Sequence, residues 1–305
     1  MKLQEISSKD TLTQQVVARM IQYSTVLEFA EFYSITGNAD YTRKAASATG
    51  GQFRALDSDY TTGPVTPAFA NPTLKILGDR VLVDRAHERR GNDVASIRAR
   101  ELMSFAGNLG KQFQNYFFNG TGTNNQFSGL KLLVPGSQIL SSGTNGHQIV
   151  LGNTNDAKKS QQQFLEFLDM LIQMIDGGAQ VIFMNGYVLS RLTSIAREQI
   201  DFQKNEFGQP VPYYNGIPIR NAGFDKDGNL VLPFNETQGT STDCTSIYAV
   251  RFGEAMDLTI ATNIGVEVKD LGLVGVHYTH SVEFDVCPVV LNDKSVARLT
   301  GIRLG

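Results

Sequence analysis

Cysteine and histidine are scarce in this 305-residue chain. The only cysteines are Cys244 and Cys287, and without a C-x-x-C spacing they form no disulfide framework and no typical zinc site. His277 and His280 lie three positions apart in a predicted strand, so they point to opposite faces and cannot share a metal ion. These absences favour synthesis in a reducing cytoplasm and predict no metal and no cofactor.

Long apolar runs and blocks of like charge are missing as well. The N-terminal sequence MKLQEISSKD lacks the apolar core of a signal peptide, and no run is long enough to span a membrane. The net charge is −3, and the arginines between Arg80 and Arg100 alternate with acidic residues. Proteins that grip nucleic acid usually have a clustered basic surface, so sequence-specific DNA binding is not predicted. The arginine-rich stretch is typical of an ion-pairing contact surface.

Catalytic motifs are absent too. The sequence contains no G-x-S-x-G elbow and no H-E-x-x-H, and the glycine-rich segment GTGTNNQFSGLK lacks the Gly-Lys-Ser/Thr ending of a phosphate loop. DKDGN begins like a calcium loop, but its glycine comes too early and no closing Glu follows. We therefore predict no catalytic, cofactor-binding or metal-binding residue, and no enzymatic activity.

What the chain does contain is an extended segment that leads directly into a long helix. The prolines of the extended segment remove backbone donors, which excludes a central strand: Pro64, Pro67 and Pro72. Apolar and polar residues then alternate as far as Asp84, with a bend predicted at Gly78-Asp79. Taken alone, this segment favours an ordinary surface hairpin.

The long amphipathic helix is predicted from Asp93 to Phe118. Its apolar stripe has helical spacing and consists of Leu102, Phe105, Ala106, Leu109, Phe113, Tyr116 and Phe117. Asn92 or Asp93 is the expected N-cap, and Asn119-Gly120 is the expected stop. Gly107 and Gly110 each cost about 1 kcal/mol inside a helix. They indicate close approach by another backbone, unless the pair is simply tolerated.

The other predicted elements flank this helix. A first helix is expected from about Asp10 to Phe32. After the long helix, a capping box predicts a helix from Ser160, the run AQVIFMN predicts a buried strand, and Asn185 is expected to cap a further helix. Strict alternation from Val274 to Val286 is the strongest strand signal.

In this order, the segments resemble the major capsid proteins of tailed double-stranded DNA bacteriophages, which have the Hong Kong 97-type fold. The resemblance rests on an ordered set rather than on one motif and covers nearly the whole chain from about Leu27. The matching segments are VTPAF, LGDRVLVDR, the long helix, FFNGTGTNNQFSGLKLL, QVIFMNGYVLSRL, NGIPIRNAG, YAVRFGEAMDLTIATNIGVEV and SVEFDVCPVVLNDKSVARLTGI.

The resemblance implies an α+β architecture of four parts. These are an N-terminal arm (1–41), an extended loop (42–92), a peripheral domain with a long spine helix (93–145 and 253–305), and an axial α/β domain (146–252). The residues expected at contacts between subunits are Lys75, Arg80, Arg85, Arg89, Arg90, Gly107 and Gly110.

The function implied is that of a structural protein whose copies assemble into the hexamers and pentamers of an icosahedral shell around a phage genome. The expected location is the virion capsid, after synthesis in the host bacterial cytoplasm. The expected partners are other copies of the chain, portal, scaffolding and cement proteins, and packaged double-stranded DNA contacted non-specifically, with no membrane. The alternatives are an encapsulin-type nanocompartment shell and a soluble α/β enzyme with an unrecognised site.

The chain also departs from the family pattern. Some members carry a cross-link between an extended-loop lysine and a neighbour's asparagine. Lys75 could stand in for that lysine, but the segment KDLGLVGV, which should offer the asparagine, contains none. We therefore expect no cross-link at Lys75. The short N-terminal part indicates no cleaved scaffolding domain, so assembly control is expected to come from a separate scaffolding protein or from none.

Overall fold

The computed structural model describes residues 1–39, 42–43, 53–60, 69–197, 200–204, 208 and 210–304, with the backbone alone described at 42–43. The helices are α1 (Leu3–Ile6), α2 (Thr11–Tyr23), α3 (Thr25–Phe29), α4 (Ala86–Arg89), α5 (Val94–Asn119), α6 (Leu130–Leu133), α7 (Asn155–Gln173) and α8 (Gly186–Ile195). The strands are β1 (Phe32–Ser34), β2 (Thr42–Arg43), β3 (Phe69–Ala70), β4 (Lys75–Asp84), β5 (Ile139–Ser141), β6 (His147–Ile149), β7 (Val181–Met184), β8 (Ile200–Lys204), β9 (Pro210–Tyr214), β10 (Ile217–Asn221), β11 (Glu236–Gln238), β12 (Ser241–Val250), β13 (Leu258–Val274), β14 (His277–Val290) and β15 (Val296–Leu304).

Helix α5 confirms the predicted long helix to within one residue at each end. The Asp93 side chain accepts hydrogen bonds from the backbone N–H groups of Ala95 and Ser96, which caps the first turn. The helix ends at Asn119, followed by Gly120. Most of the predicted stripe is fully buried, but Phe105 and Tyr116 are only partly buried against the same core.

The strand β4 is the outer strand of a four-stranded sheet with the order β1-β13-β14-β4. It pairs with β14 without interruption from Lys75 to Asp84, so the predicted bend at Gly78-Asp79 is wrong. The glycine is needed for a different reason: a Cβ at Gly78 would collide with the carbonyl oxygen of Val282 on β14. A glycine that signals a turn from sequence alone here permits two strands to approach closely.

A second, larger sheet lies between two helical layers. Its main path runs β5-β15-β12-β7-β10-β9-β8, with β6 beside β15 and β11 beside β12. Along β7, Val181 and Phe183 belong to the same core as α5, while Ile182 and Met184 belong to the core under α7 and α8. This alternation places buried side chains on both faces of the sheet.

The C-terminal strand departs from the predicted division into domains. The sequence assignment places 253–305 together in the peripheral part, whereas β15 pairs with β12 inside the larger sheet. Val296 pairs with Val250 there, and both are buried in the core. The division into domains otherwise stays a prediction.

The N-terminal part, which the resemblance assigns to an N-terminal arm, is folded onto the body of the protein. Its predicted single helix is split into α2 and α3 at Ser24, whose hydroxyl caps α3 by accepting from the backbone N–H of Leu27. The split turns the chain so that Val16, Val17 and Met20 are completely buried. Their burial in the α5 core is the reason why this part does not extend away.

Candidate assembly surface

The exposed edge of β4 is the first feature of the candidate surface. Val81 and Val83 point inward and are buried, whereas Leu82 between them is exposed. Within the described part of the chain, no strand pairs with the outer edge of β4. A free edge of this length is a template for a strand from another chain unless charged side chains protect it. Arg80 is exposed on this strand and fits that protective role.

Four arginines predicted to lie at subunit contacts form an exposed group beside this edge: Arg80, Arg85, Arg89 and Arg90. We call them the arginine group. None of them has an acidic partner within 4.0 Å among the residues that the structure describes. Arg80 lies in the middle of β4, opposite Ser281, whereas Arg85, Arg89 and Arg90 lie in the turn with α4 that follows the strand. Their role between subunits stays a prediction.

Local hydrogen bonds hold the turn that carries the arginine group. The backbone N–H of Ala86 donates to Asp84 Oδ1 at 2.7 Å, and this bond lowers the pKa of the Asp84 carboxyl. The Tyr278 hydroxyl donates to Glu88 Oε2 at 3.0 Å, which ties the turn to β14. The acidic residues between the arginines therefore serve the turn itself, and this leaves the arginines free for other partners.

The tip of the β13–β14 hairpin is a contact candidate that sequence reasoning missed. We define this hairpin tip as residues 271–276. Its four large apolar side chains are about half exposed: Leu271 (44%), Leu273 (47%), Val274 (52%) and Val276 (50%). The available signal was the run LGLVGV, because apolar residues at successive positions occupy both faces of a strand, and each face needs a covering layer to be buried.

The hairpin tip and the arginine group are directly joined. The backbone N–H of Arg85 donates to the carbonyl oxygen of Val276 at 2.9 Å. The exposed residues Val276 and Arg85 are therefore adjacent on the surface of the protein. Arginine is enriched at protein interfaces, and the buried centre of an interface is more apolar than the rest of a protein surface.

A second exposed apolar group lies in the predicted extended loop. Phe53 and Leu56 are almost completely exposed, and the Arg54 guanidinium holds their turn by donating to the carbonyl oxygen of Ser58 at 3.1 Å. The paired strands β2 and β3 bracket the loop. Pro64 and Pro67, on which the extended interpretation was based, lie outside the described residues.

Lys75 is at the start of β4, on the rim of a surface depression of about 680 Å³. Asn125 and Asn263 line the same depression, and Asn263 donates to Asp285 Oδ2 at 2.7 Å. The Asn263 amide is thus already engaged within its own subunit. The expectation that Lys75 forms no cross-link stays a prediction.

Gly107 and Gly110 must be removed from the candidate surface. Both are buried under α2 of the same chain, not exposed to a neighbouring subunit. A Cβ at Gly110 would lie 2.5 Å from the carbonyl oxygen of Met20, which is the close backbone approach that the glycines indicated. A Cβ at Gly107 would instead face the ring of Tyr23 at 3.3 Å. The sequence could not tell that the approaching backbone belongs to the same chain.

A buried histidine ties the beginning of α5 to the β13–β14 hairpin. His280 Nε2 lies 3.3 Å from Arg98 Nη2 and 3.7 Å from Asp270 Oδ2. Burial, and then the Arg98 cation, lower the pKa of His280, while Asp270 opposes them in part. Arg98 also donates to Asp270 Oδ1 at 2.6 Å. The neutral imidazole is therefore the form that suits the folded state.

The stability of the subunit is expected to fall as the pH drops below 6.5, the ordinary pKa of histidine. The unfolded chain binds a proton at that pH, whereas folded His280 resists it, so acidification favours unfolding. Chemical denaturation at pH 7.5 and 5.5 should show a smaller loss of stability for His280→Gln than for the wild type. Burial also lowers the pKa of His147. Because His147 is present in both proteins, part of the loss of stability on acidification should remain in both. Equal losses of stability in the two proteins would contradict the assignment of this pH dependence to His280.

Among the described residues, no three His, Cys, Asp or Glu side chains converge to hold a metal ion. No described helix is both long and apolar enough to cross a bilayer.

Known proteins are similar to this chain in fold but not in sequence. No family model matches the chain, and no curated protein is similar to it in sequence. The holo-SrpI encapsulin complex of Synechococcus elongatus matches with a TM-score of 0.63 at 12% identity, covering 98% of this chain and 91% of that one. The capsid of a native GTA particle has a TM-score of 0.59 at 11% identity, with 97% and 93% covered. Mycobacterium phage Bobi gives 0.56 at 12% identity, with 92% and 90% covered.

The chain has the Hong Kong 97-type fold. The predicted α+β class is thereby confirmed. In this Hong Kong 97-type chain, the long helix α5 lies against the four-stranded sheet and against one face of the larger sheet. The hairpin tip and the arginine group are at the far end of β4 and β14, away from the larger sheet's core.

Proposed function

We propose that the protein is a structural shell protein whose copies form the hexamers and pentamers of an icosahedral container for a phage double-stranded DNA genome. The observation that carries this proposal is the likeness to shell proteins over 92–98% of the chain. The joined arginine group and hairpin tip support it, because such a surface on a subunit needs a partner. No enzymatic role is proposed.

The physical basis is repetition of modest contacts. An exposed ion pair contributes only about 0–1 kcal/mol, but every subunit of a closed symmetric shell repeats it. The loop with Phe53 and Leu56 and the hairpin tip would add apolar area at each contact. By the same reasoning, portal, scaffolding and cement proteins are proposed partners, and packaged DNA is contacted non-specifically. The proposed location is the virion capsid, after synthesis in the host bacterial cytoplasm.

An encapsulin-type shell is the second candidate function. The specific observation in its favour is that the TM-score to the SrpI encapsulin complex, 0.63, exceeds that to the native GTA capsid, 0.59. The two functions differ in content, since one shell encloses DNA and the other a protein cargo. Absorbance spectra and gel analysis of nuclease-treated particles, purified from cells that carry the neighbouring genes, separate them.

Negative-stain electron microscopy of the purified protein tests shell formation directly, with and without the proteins of neighbouring genes. Closed particles are the expected result. A sizing column that shows only a small oligomer under both conditions would contradict the proposal and favour the α/β enzyme alternative.

Charge reversal in the arginine group is expected to abolish most particle formation. Arg85→Glu with Arg89→Glu should leave thermal unfolding nearly unchanged, because both side chains are exposed and unpaired within the subunit. The matched control is Lys158→Glu with Lys159→Glu, which reverses two exposed charges on α7. Particle yield is measured by sedimentation. Equal yields for the two double variants would show that the arginine group is only a solvated surface.

A further inference from the structure

We propose that the groove between α2 and α5 binds the phosphate backbone of nucleic acid. The groove has a volume of about 340 Å³, and its polar lining consists of Arg19, Tyr23, Arg100, Ser104, Asn108 and Lys111. Of the predicted contact residues only Gly107 lines it, and it does not include the arginine group. The choice of nucleic acid as partner rests on the proposed container function.

Charge is the first argument. The groove lining contains three cationic side chains, Arg19, Arg100 and Lys111, and no carboxylate, in a chain whose net charge is −3. The Arg100 side chain is 74% exposed, and its nearest carboxylate is that of Glu101 at 3.5 Å. An anion that enters the groove therefore meets several cations and little competing negative charge.

The arrangement around Tyr23 is the second argument. The Arg19 guanidinium lies 4.5 Å from the centre of the Tyr23 ring, and Lys111 Nζ lies 5.5 Å from the same centre. One aromatic ring thus holds two cations close to each other. Gly107 makes this possible, because the ring packs against the helix where a side chain would otherwise stand.

An unsatisfied donor is the third argument. Arg19 Nη1 donates to Gln22 Oε1 at 2.7 Å, but Arg19 Nε is buried and has no hydrogen-bond partner in the described part of the chain. Buried donors without an acceptor are uncommon in native proteins. Ser104 and Asn108 add a hydroxyl and an amide donor along the exposed side of α5. Phosphate oxygens accept hydrogen bonds from exposed hydroxyl, amide and guanidinium donors of this kind.

The length of the groove favours a polymer over a single anion. From Arg100 to Lys111 the helix rises by roughly 17 Å, which is long enough to meet more than one phosphate of a DNA strand. Apart from Met103, the lining offers few apolar anchors for the side chains of an acidic polypeptide. A regular row of phosphates is thus the better fit.

The test measures fluorescence anisotropy of a labelled 20-base-pair DNA duplex with unassembled subunits at several KCl concentrations. We expect Arg19→Gln with Lys111→Gln to weaken binding on the order of tenfold at 0.1 M salt and to reduce the logarithmic salt slope by about two. Arg100→Gln, which leaves Tyr23 and its cations intact, should reduce the slope by about one. The control, Lys158→Gln with Lys159→Gln, should resemble the wild type.

Several results would overturn the proposal. They are wild-type protein that does not bind the duplex, groove variants that match the lysine control, and polyglutamate that competes as well as DNA per charge. The last result would assign the groove to an acidic polypeptide. Thermal unfolding of each variant checks that the fold is intact. Because binding is measured without assembly, failure of shell formation and failure of the groove are separate outcomes.

Discussion

Replacing Phe113 by alanine is expected to destabilise the subunit by about 3–5 kcal/mol. The ring is completely buried at the centre of α5. Its centroid lies 5.7 Å from that of Phe284 on β14, 6.1 Å from that of Phe127 and 6.2 Å from that of Phe117. The substitution therefore removes apolar area from the core and leaves a cavity that three surrounding rings cannot fill. Urea unfolding followed by circular dichroism measures the loss.

Phe105→Ala provides the matched control in the same helix. Phe105 belongs to the predicted stripe, but it is only partly buried, so its loss should cost less than about 2 kcal/mol. The difference between the two alanine variants measures burial alone, since residue type and helix are the same. Equal losses of stability would show that Phe105 is as deeply buried as Phe113, which would contradict the structure.

The second large effect is expected at Gly110. Alanine is normally about 1 kcal/mol better than glycine inside a helix. At this position, however, the new methyl group would lie 2.5 Å from the backbone oxygen of Met20, and a backbone atom cannot move aside alone. Gly110→Ala should therefore destabilise the subunit by about 1–3 kcal/mol, as overpacked cores do. Thermal and urea unfolding give the measurement.

Gly107→Ala is the control that tests whether contact with a backbone atom causes the loss of stability in Gly110→Ala. Its nearest neighbour is the Tyr23 ring at 3.3 Å, and that side chain is 40% exposed, so it can shift. We expect the stability of Gly107→Ala to stay within about 0.5 kcal/mol of the wild type. If Gly110→Ala were as stable as Gly107→Ala, the packing of α2 on α5 would have to be looser than the structure shows.

Both pairs of variants bear on assembly as well as on folding. The helix α5 contributes to the core on one side and to the polar groove on the other. A destabilised α5 would therefore change particle yield without any change in contact residues. Assembly assays of surface variants are interpretable only when unfolding measurements show that this helix is intact.

Capping signals in the sequence predicted several helix ends correctly, but one of these predictions was wrong. Asn185 caps α8 as predicted, by accepting from the backbone N–H of Tyr187 at 2.8 Å. The capping box at Ser160 does not begin a helix, because α7 already starts at Asn155 with Thr154 as its cap. The Ser160 hydroxyl donates instead to the carbonyl oxygen of Gln148 at 2.6 Å. The Ser160 hydroxyl thus bonds to a residue distant in sequence and does not cap a helix as the local motif predicted.

The sequence by itself determined the features that depend on a few neighbouring residues. The bounds of α5 follow from the Asp93 cap, the apolar spacing and Asn119-Gly120, all of which act within one or two helical turns. The ordered set of segments also led to the correct fold class. Signals of this kind involve only neighbouring residues, so they do not depend on where distant parts of the chain lie.

Only the tertiary structure decided which distant residues meet. Gly110 meets Met20, Gly78 meets Val282, and the C-terminal strand β15 joins the larger sheet. The residues of each pair are separated by many positions in the sequence. A glycine in a turn and a glycine that allows close approach of another backbone also look the same in the sequence. Likewise, the apolar side chains of the hairpin tip are exposed although β13 and β14 stay paired as far as Val274 and His277. Burial is a property of the surroundings, and the surroundings come from the whole folded chain.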